Sequence, residues 1–262
     1  MVYGDLVTDG MRIETLEPER GMTRDILTIG SKKHVMHGLI EVDVTDVRRR
    51  LGHLSLTAFV IHCVAMALRG ESRLNAVRRG RHVYAFDRVN VGMMIEGEEA
   101  GHKKVGGLII RDADVKSVVD IHTEIREAQR RPISDLERGT GNSWALRMPG
   151  FVRRAALRYM LRSPAIAHRM GLVIGVTAVG MFGRGAGWGI TITPCTVAVT
   201  VGGIGHHAVL DGGQAKDHEF LCLTVSFDHD LVDGAPAARF SARLVELIEH
   251  GHGLAPGLAE TA

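Results

Sequence analysis

Apolar positions along this chain follow two periods, close to two and close to 3.6 residues, and the switches between them delimit its elements. Residues 22–33 are expected to be helical, 35–44 to form a strand and 45–51 a short helix. Residues 56–69 predict an apolar helix, followed by strands at 82–86, 89–95 and 105–111. Val115, Val118, Val119, Ile121 and Ile125 fall at helical spacing within 113–131, a helix expected to stop before Pro132, whose ring disfavours the α conformation one residue earlier. Strands are expected near 172–179, 189–193, 196–203 and 219–227, and 237–248 reads as an amphipathic helix. Strands outnumber helices and the helices are interspersed among them, which predicts an α/β fold, a two-layer sandwich with a mixed β-sheet. With no internal repeat or low-complexity linker, residues 21–250 read as one domain. A polar arm (1–20) precedes it, a basic helical insertion (132–170) interrupts it and a tail (251–262) follows it.

Composition narrows the classes. A chain of 262 residues can bury a substantial core. Its 32 Lys and Arg against 30 Asp and Glu leave a net charge of +2, which argues against a general nucleic-acid or membrane role. No apolar run reaches the roughly 18 residues of a membrane helix. The start, Met1-Val2-Tyr3-Gly4-Asp5, lacks the charged-then-apolar plan of a signal peptide. Cys63, Cys195 and Cys222 are odd in number, widely spaced and set among apolar residues. They read as buried thiols of a reducing compartment, so the expected location is cytoplasmic. Charge is uneven along the chain: residues 126–169 hold ten arginines against Glu127, Asp135 and Glu137. That segment reads either as a solvated helical surface or as a basic flap suited to phosphates, an acidic carrier protein or an anionic surface.

The stretch Ser226-Phe227-Asp228-His229-Asp230-Leu231-Val232-Asp233-Gly234 concentrates the candidate chemistry. An apolar strand ends at Phe227 and a helix follows, so His229 sits in a connection where a rigid scaffold can present a titratable group to a cleft. Asp233 lies four residues on, and Gly234 permits a tight turn. Taken alone, the pattern also fits a hydrogen-bonded loop histidine beside a turn aspartate. Other motifs carry less. The glycine-rich 183–189 lacks the spacing of a phosphate-binding loop and leads into β-prone residues, so it reads as a flexible connection. His34 and His37, and His206 and His207 in an expected turn, have no Cys or carboxylate set at ligand spacing, so no metal site is expected. No G-x-S-x-G supports a serine hydrolase.

Residues Ser226, Asp228, His229, Asp233, Gly234 and Ala235 resemble the S-x-D-H-R-x-x-D-G-A signature of the coenzyme A-dependent acyltransferases. Both the chloramphenicol acetyltransferases and the catalytic domain of the dihydrolipoyl acyltransferases of 2-oxoacid dehydrogenase complexes carry it, and the second group is the closer match. Gly175-Val176-Thr177-Ala178-Val179-Gly180-Met181-Phe182-Gly183 resembles the family's T-I-S-N-L-G-M-F-G stretch, with Thr177 at the position of its serine. Leu56-Thr57-Ala58-Phe59, Leu74-Asn75, Val89-Asn90-Val91-Gly92 and Gly107-Leu108-Ile109-Ile110 are similar to further family segments in the same order. Two departures stand out: Asp230 replaces the arginine after the histidine, and Ala178 replaces an asparagine.

The resemblance implies a chloramphenicol acetyltransferase-like fold and acyl transfer between coenzyme A and a small thiol, hydroxyl or amine acceptor. Coenzyme A or its acyl thioester would be a cosubstrate, with no metal and no lipoyl attachment on this chain. In that reading His229 is the general base, Thr177 the hydroxyl donor to the oxyanion, and Asp233 a supporting residue that orients the loop, with Arg24 as its arginine partner. Activity is then expected to rise with pH through the histidine range. The resemblance further implies a homotrimer with its sites at subunit interfaces; a free trimer, and not the larger cage of the family's dehydrogenase complexes, is expected. Two alternatives remain open at this level: a dihydrolipoyl acyltransferase serving a lipoyl or carrier domain on another chain, and a non-catalytic trimeric binding or scaffold protein.

Overall fold

A computed structural model describes residues 18–99, 102–133, 148–179 and 185–255. Helix α1 (Pro18–Gly30) leads into β1 (Val35–Asp43), α2 (Thr45–Leu51) and α3 (Leu56–Ala67). A small hairpin, β2 (Ala76–Arg79) and β3 (His82–Ala85), precedes the antiparallel pair β4 (Val91–Glu99) and β5 (His102–Ile110). Helices α4 (Val118–Arg130), α5 (Gly150–Met160) and α6 (Pro164–Arg169) follow, then β6 (Ile174–Ala178), β7 (Val197–Asp211), β8 (Gln214–Asp228) and α7 (Gly234–Glu249). One six-stranded sheet runs β1-β8-β7-β6-β4-β5, parallel at β4–β6 and β6–β7 and antiparallel elsewhere, which is the mixed sheet expected.

Alternation along β8 fixes which face is which. Leu221, Leu223, Val225 and Phe227 join the main core, and the Phe227 ring meets that of Phe240 on α7 edge-on at 5.8 Å. Helices α3, α4 and α7 therefore cover this face. Phe240 is only 1% exposed, so Phe240→Ala should cost about 3–5 kcal/mol of stability. The expected reading is a lower denaturation midpoint at unchanged slope.

Residues 185–193 form no strand, contrary to the sequence expectation for 189–193. Strand β7, which they precede, already has β6 and β8 on its two edges, so they could not pair with it. They lie instead across the other face of the sheet. The Gly203 N–H donates to the Gly187 carbonyl at 2.9 Å, and Trp188 Nε1 donates to the Ile40 carbonyl at 3.1 Å. A Cβ on Gly203 would sit 2.0 Å from the Gly185 oxygen, and one on Gly202 would sit 2.1 Å from that of Gly187. The glycines thus serve backbone-on-backbone packing at the irregularity between Val201 and Ile204.

Three other boundaries moved. Strands β7 and β8 run on as a ribbon to a two-residue Gly212-Gly213 turn, both residues with positive φ (59° and 83°), so His206 and His207 lie in a strand and not in a turn. Both faces of that ribbon are largely exposed, which removed the alternation that signals a half-buried strand. The helix expected over 113–131 starts as a 3₁₀ turn at Ala113–Val115 and restarts at Val118, where Ser117 and Asp120 form a reciprocal capping box. Strand β2 was not anticipated at all. The expected basic insertion is represented by α5 and α6, and α5 is tied to the body of the fold. Asp25 on α1, 1% exposed, accepts from Arg153 at 2.9 Å and from Arg154 at 3.0 Å. At the other end, the Arg50 guanidinium on α2 donates to the carbonyls of His250, Gly251, Leu254 and Ala255 and holds the start of the tail.

Candidate active site

His229 stands on the connection between β8 and α7, as its sequence context predicted. The loop is fixed by its backbone. The N–H groups of Leu231 and Val232 both donate to the Asp228 carbonyl at 3.0 Å, and the His229 N–H donates to the His34 carbonyl at 2.7 Å. Val232 is buried beneath the turn and Leu231 packs partly against the core, while His229, Asp230 and Asp233 are exposed. The imidazole of His229 is exposed and has no hydrogen-bond partner among the described residues. With Asp233, Arg73, Arg78, Val83, Asp230 and Leu231 it lines a cavity of about 250 Å³. Asp233 occupies the N-cap position of α7 without a side-chain capping bond, so its carboxylate is also available to the cavity.

Asp230, the departure beside the histidine, is engaged away from it. Its carboxylate accepts from His34 Nδ1 at 2.9 Å and from an Arg78 guanidinium nitrogen at 3.2 Å. The hydrogen bond from His34, opposed by slight desolvation and joined by the charges of His34 and Arg78, holds this carboxyl below the usual carboxylate range. The position after the histidine thus carries a negative charge that brings a guanidinium from β2 to the rim. Asp228, 8% exposed, faces inward and accepts from Lys33 at 2.7 Å.

Thr177 lies elsewhere. On β6 it pairs with Thr200 of β7, which pairs with Thr224 of β8, so three hydroxyl-bearing residues form a row across the face opposite the helices. His229 lies five residues beyond Thr224, on the order of 17 Å along the sheet. Thr177 does not line the His229 cavity. The Thr200 and Thr224 hydroxyls are buried with no partner among the described residues, an arrangement native structures seldom leave empty of water or ligand. Arg24 makes no contact with Asp233 in the described chain; its neighbour Asp25 forms the ion pairs of α1. Gly180 to Gly183, the G-M-F-G part of the Thr177 motif, lies outside the described residues.

The remaining candidates are structural. The Asn75 side chain donates to the carbonyls of Phe86 and Arg88 at 2.8 and 2.9 Å. All three cysteines are buried, and burial pushes each thiol above its usual range, so none is poised as a nucleophile. Among the described residues, no group of three or more His, Cys, Asp or Glu side chains is placed to hold a metal ion. Sequence reasoning missed Lys33, Arg73, Arg78 and Arg79, the cations around the loop. The available signal was Val77-Arg78-Arg79-Gly80-Arg81-His82-Val83, two short strands about a Gly-containing turn, which is a hairpin pattern.

Comparison with known proteins adds to this geometry. Residues 158–255 match the family described as 2-oxoacid dehydrogenases acyltransferase (catalytic domain). The dihydrolipoyllysine-residue acetyltransferase component of the pyruvate dehydrogenase complex from Mycoplasma pneumoniae is 27% identical over 207 residues, covering 75% of this chain and 42% of that protein. This chain therefore spans less than half the length of that relative. Azotobacter vinelandii dihydrolipoamide acetyltransferase superposes with a TM-score of 0.66 at 17% identity, covering 91% of this chain and 92% of that one. A chloramphenicol acetyltransferase superposes with a TM-score of 0.52 at 13% identity, covering 91% and 98%. By sequence over residues 158–255 this chain resembles the catalytic domain of the 2-oxoacid dehydrogenase acyltransferases, and along its described length it has the fold shared by dihydrolipoamide acetyltransferase and chloramphenicol acetyltransferase.

Proposed function

We propose that this protein transfers an acyl group between coenzyme A and a small thiol, hydroxyl or amine acceptor. The observation that carries the reading is His229: an exposed imidazole with no described partner, on a loop fixed by its backbone, beside Asp233 in one cavity. Acyl transfer from a thioester needs a base for the attacking nucleophile and a donor for the oxyanion that develops on the carbonyl. His229 in its neutral form takes the proton of the attacking group and returns it to the departing thiolate. Thr177 supplies a hydroxyl to the oxyanion. Asp233 supports the loop. A serine, a histidine and an asparagine four positions beyond that histidine are named for the catalytic mechanism of the Azotobacter protein. Asp233 stands at the same spacing from His229, a carboxylate in place of an amide.

Because Thr177 and His229 are far apart within one chain, the reading requires that each site take its histidine from one subunit and its hydroxyl from the next. A homotrimer meets that requirement. The sheet face bearing Thr177 also exposes apolar side chains that suit assembly: Leu39 is 50% exposed, Met94 52%, Ile190 63% and Ile192 58%.

The direct test is thiol release from acetyl-coenzyme A over a panel of acceptors that includes dihydrolipoamide. Acceptor-dependent release is expected. Preference for dihydrolipoamide would favour the narrower reading suggested by the Mycoplasma relative's name, a dihydrolipoyl acyltransferase acting on a separate lipoyl domain. Coenzyme A binding with no turnover on any acceptor would overturn the catalytic reading in favour of a binding protein.

A further inference from the structure

A second cavity, of about 310 Å³, lies directly behind the His229 loop and shares Arg78 and Asp230 with the first. Its lining is basic and comes from parts of the chain distant in sequence. Lys33 follows α1, Arg78 and Arg79 sit on β2, and Arg158 and Arg162 come from α5 and the turn after it. Two carboxylates, Asp228 and Asp230, face these five cations, an excess of three positive charges. Both carboxylates are already engaged, Asp228 by Lys33 at 2.7 Å and Asp230 by Arg78 at 3.2 Å and His34 at 2.9 Å. The guanidinium groups of Arg158 and Arg162 form no ion pair or hydrogen bond among the described residues. Arg79 is half-buried. It donates to the carbonyls of Leu161 and Arg78, while its Nε is buried without a described partner. A guanidinium cannot relieve such a position by losing its proton, so the charge of Arg79 stays beside the cavity and favours an anion there.

We propose that this cavity binds a phosphate group through Arg79, Arg158 and Arg162. Three guanidinium groups around one space suit an anion with several equivalent oxygens. A lone carboxylate is satisfied by one fork. The apolar floor formed by Ile29, Val77, Leu161 and Leu172 limits solvent and strengthens each contact, and the volume admits a phosphoryl group with several waters. A phosphate held here touches the same Arg78 that Asp230 recruits to the rim of the His229 cavity. The site's existence follows from the side chains alone. Its source as coenzyme A, whose phosphates would then be gripped next to the reacting loop, rests on the acyltransferase reading. The other source is a free phosphorylated ligand.

Calorimetric titration of the full chain with inorganic pyrophosphate and, separately, with coenzyme A tests this without any turnover. The comparison is an Arg158→Ala/Arg162→Ala double variant, whose changes fall at exposed positions and leave Asp25 with both its arginines. Pyrophosphate should bind the wild-type chain, and the double variant should bind it about tenfold or more weakly. If coenzyme A competes with pyrophosphate and loses affinity in the same variant, the phosphate is its own. If pyrophosphate binding is weakened but coenzyme A is unaffected, the site stands and serves a free phosphorylated ligand. Failure of pyrophosphate to bind, or equal binding by the double variant, would overturn the proposal whatever the thiol-release assay reports.

Discussion

Replacing His229 with alanine should lower turnover by ~10²–10⁴-fold, the usual worth of a positioned base, while coenzyme A binding changes little. The side chain is exposed and unpaired among the described residues, so its removal leaves no buried group stranded. What fixes the loop is the His229 backbone N–H on the His34 carbonyl at 2.7 Å, together with two N–H groups on the Asp228 carbonyl, and alanine keeps all three. The loss should therefore appear in kcat more than in KM, with thermal stability close to wild type. The neighbouring Asp230 carboxylate is a poor substitute for the imidazole, since the hydrogen bond from His34 and the charges of His34 and Arg78 hold it below the usual carboxylate range. Turnover near the wild-type level in the alanine variant would eliminate His229 as the base.

The fold and this loop were legible in the sequence for the same reason: the signals are local. Alternating apolar residues up to Phe227, the turn-permitting Gly234 and the Ala-rich helix beyond it place His229 whatever the rest of the chain does. Residues whose place depends on distant packing were not legible. Residues 189–193 have the β-prone composition of a strand, yet β7 has no free edge, so they became a strap over the sheet. Gly185, Gly187, Gly202 and Gly203 look like flexibility in the sequence but permit the strap and the β7 backbone to approach within Cβ-excluding distance. The cations around the site were missed because β2 is four residues long and half arginine, a composition that reads as surface. Asp230 looked like a reversal of charge beside the base. With Arg78 drawn onto it, the local balance is partly restored by a residue 152 positions away.

The spatial separation of Thr177 from His229 leads to the second large effect. Thr177→Ala should cost about 10²–10³-fold in turnover, the usual worth of one oxyanion donor, and Thr177→Ser should retain most of the activity because the hydroxyl remains. The sharper experiment mixes the two inactive proteins. Within one chain the register places Thr177 level with Thr224, five residues short of His229, and no rearrangement inside an intact six-stranded sheet would bring them together. If each site joins the histidine of one subunit to the hydroxyl of the next around a three-fold axis, His229→Ala and Thr177→Ala chains refolded together complement each other. Random assembly at equal amounts gives three mixed trimers in four, each with one site that has both groups intact. Recovered activity should then be roughly a quarter of wild type, far above either parent. Co-refolded chains that stay as inactive as the separate variants, despite demonstrated mixing, would place both groups in one chain or remove Thr177 from the chemistry. Recovery to the expected fraction would identify the hydroxyl, its orientation towards a neighbouring histidine and the cyclic assembly in one measurement, because no single-chain site can regain activity from two chains that each lack half of it.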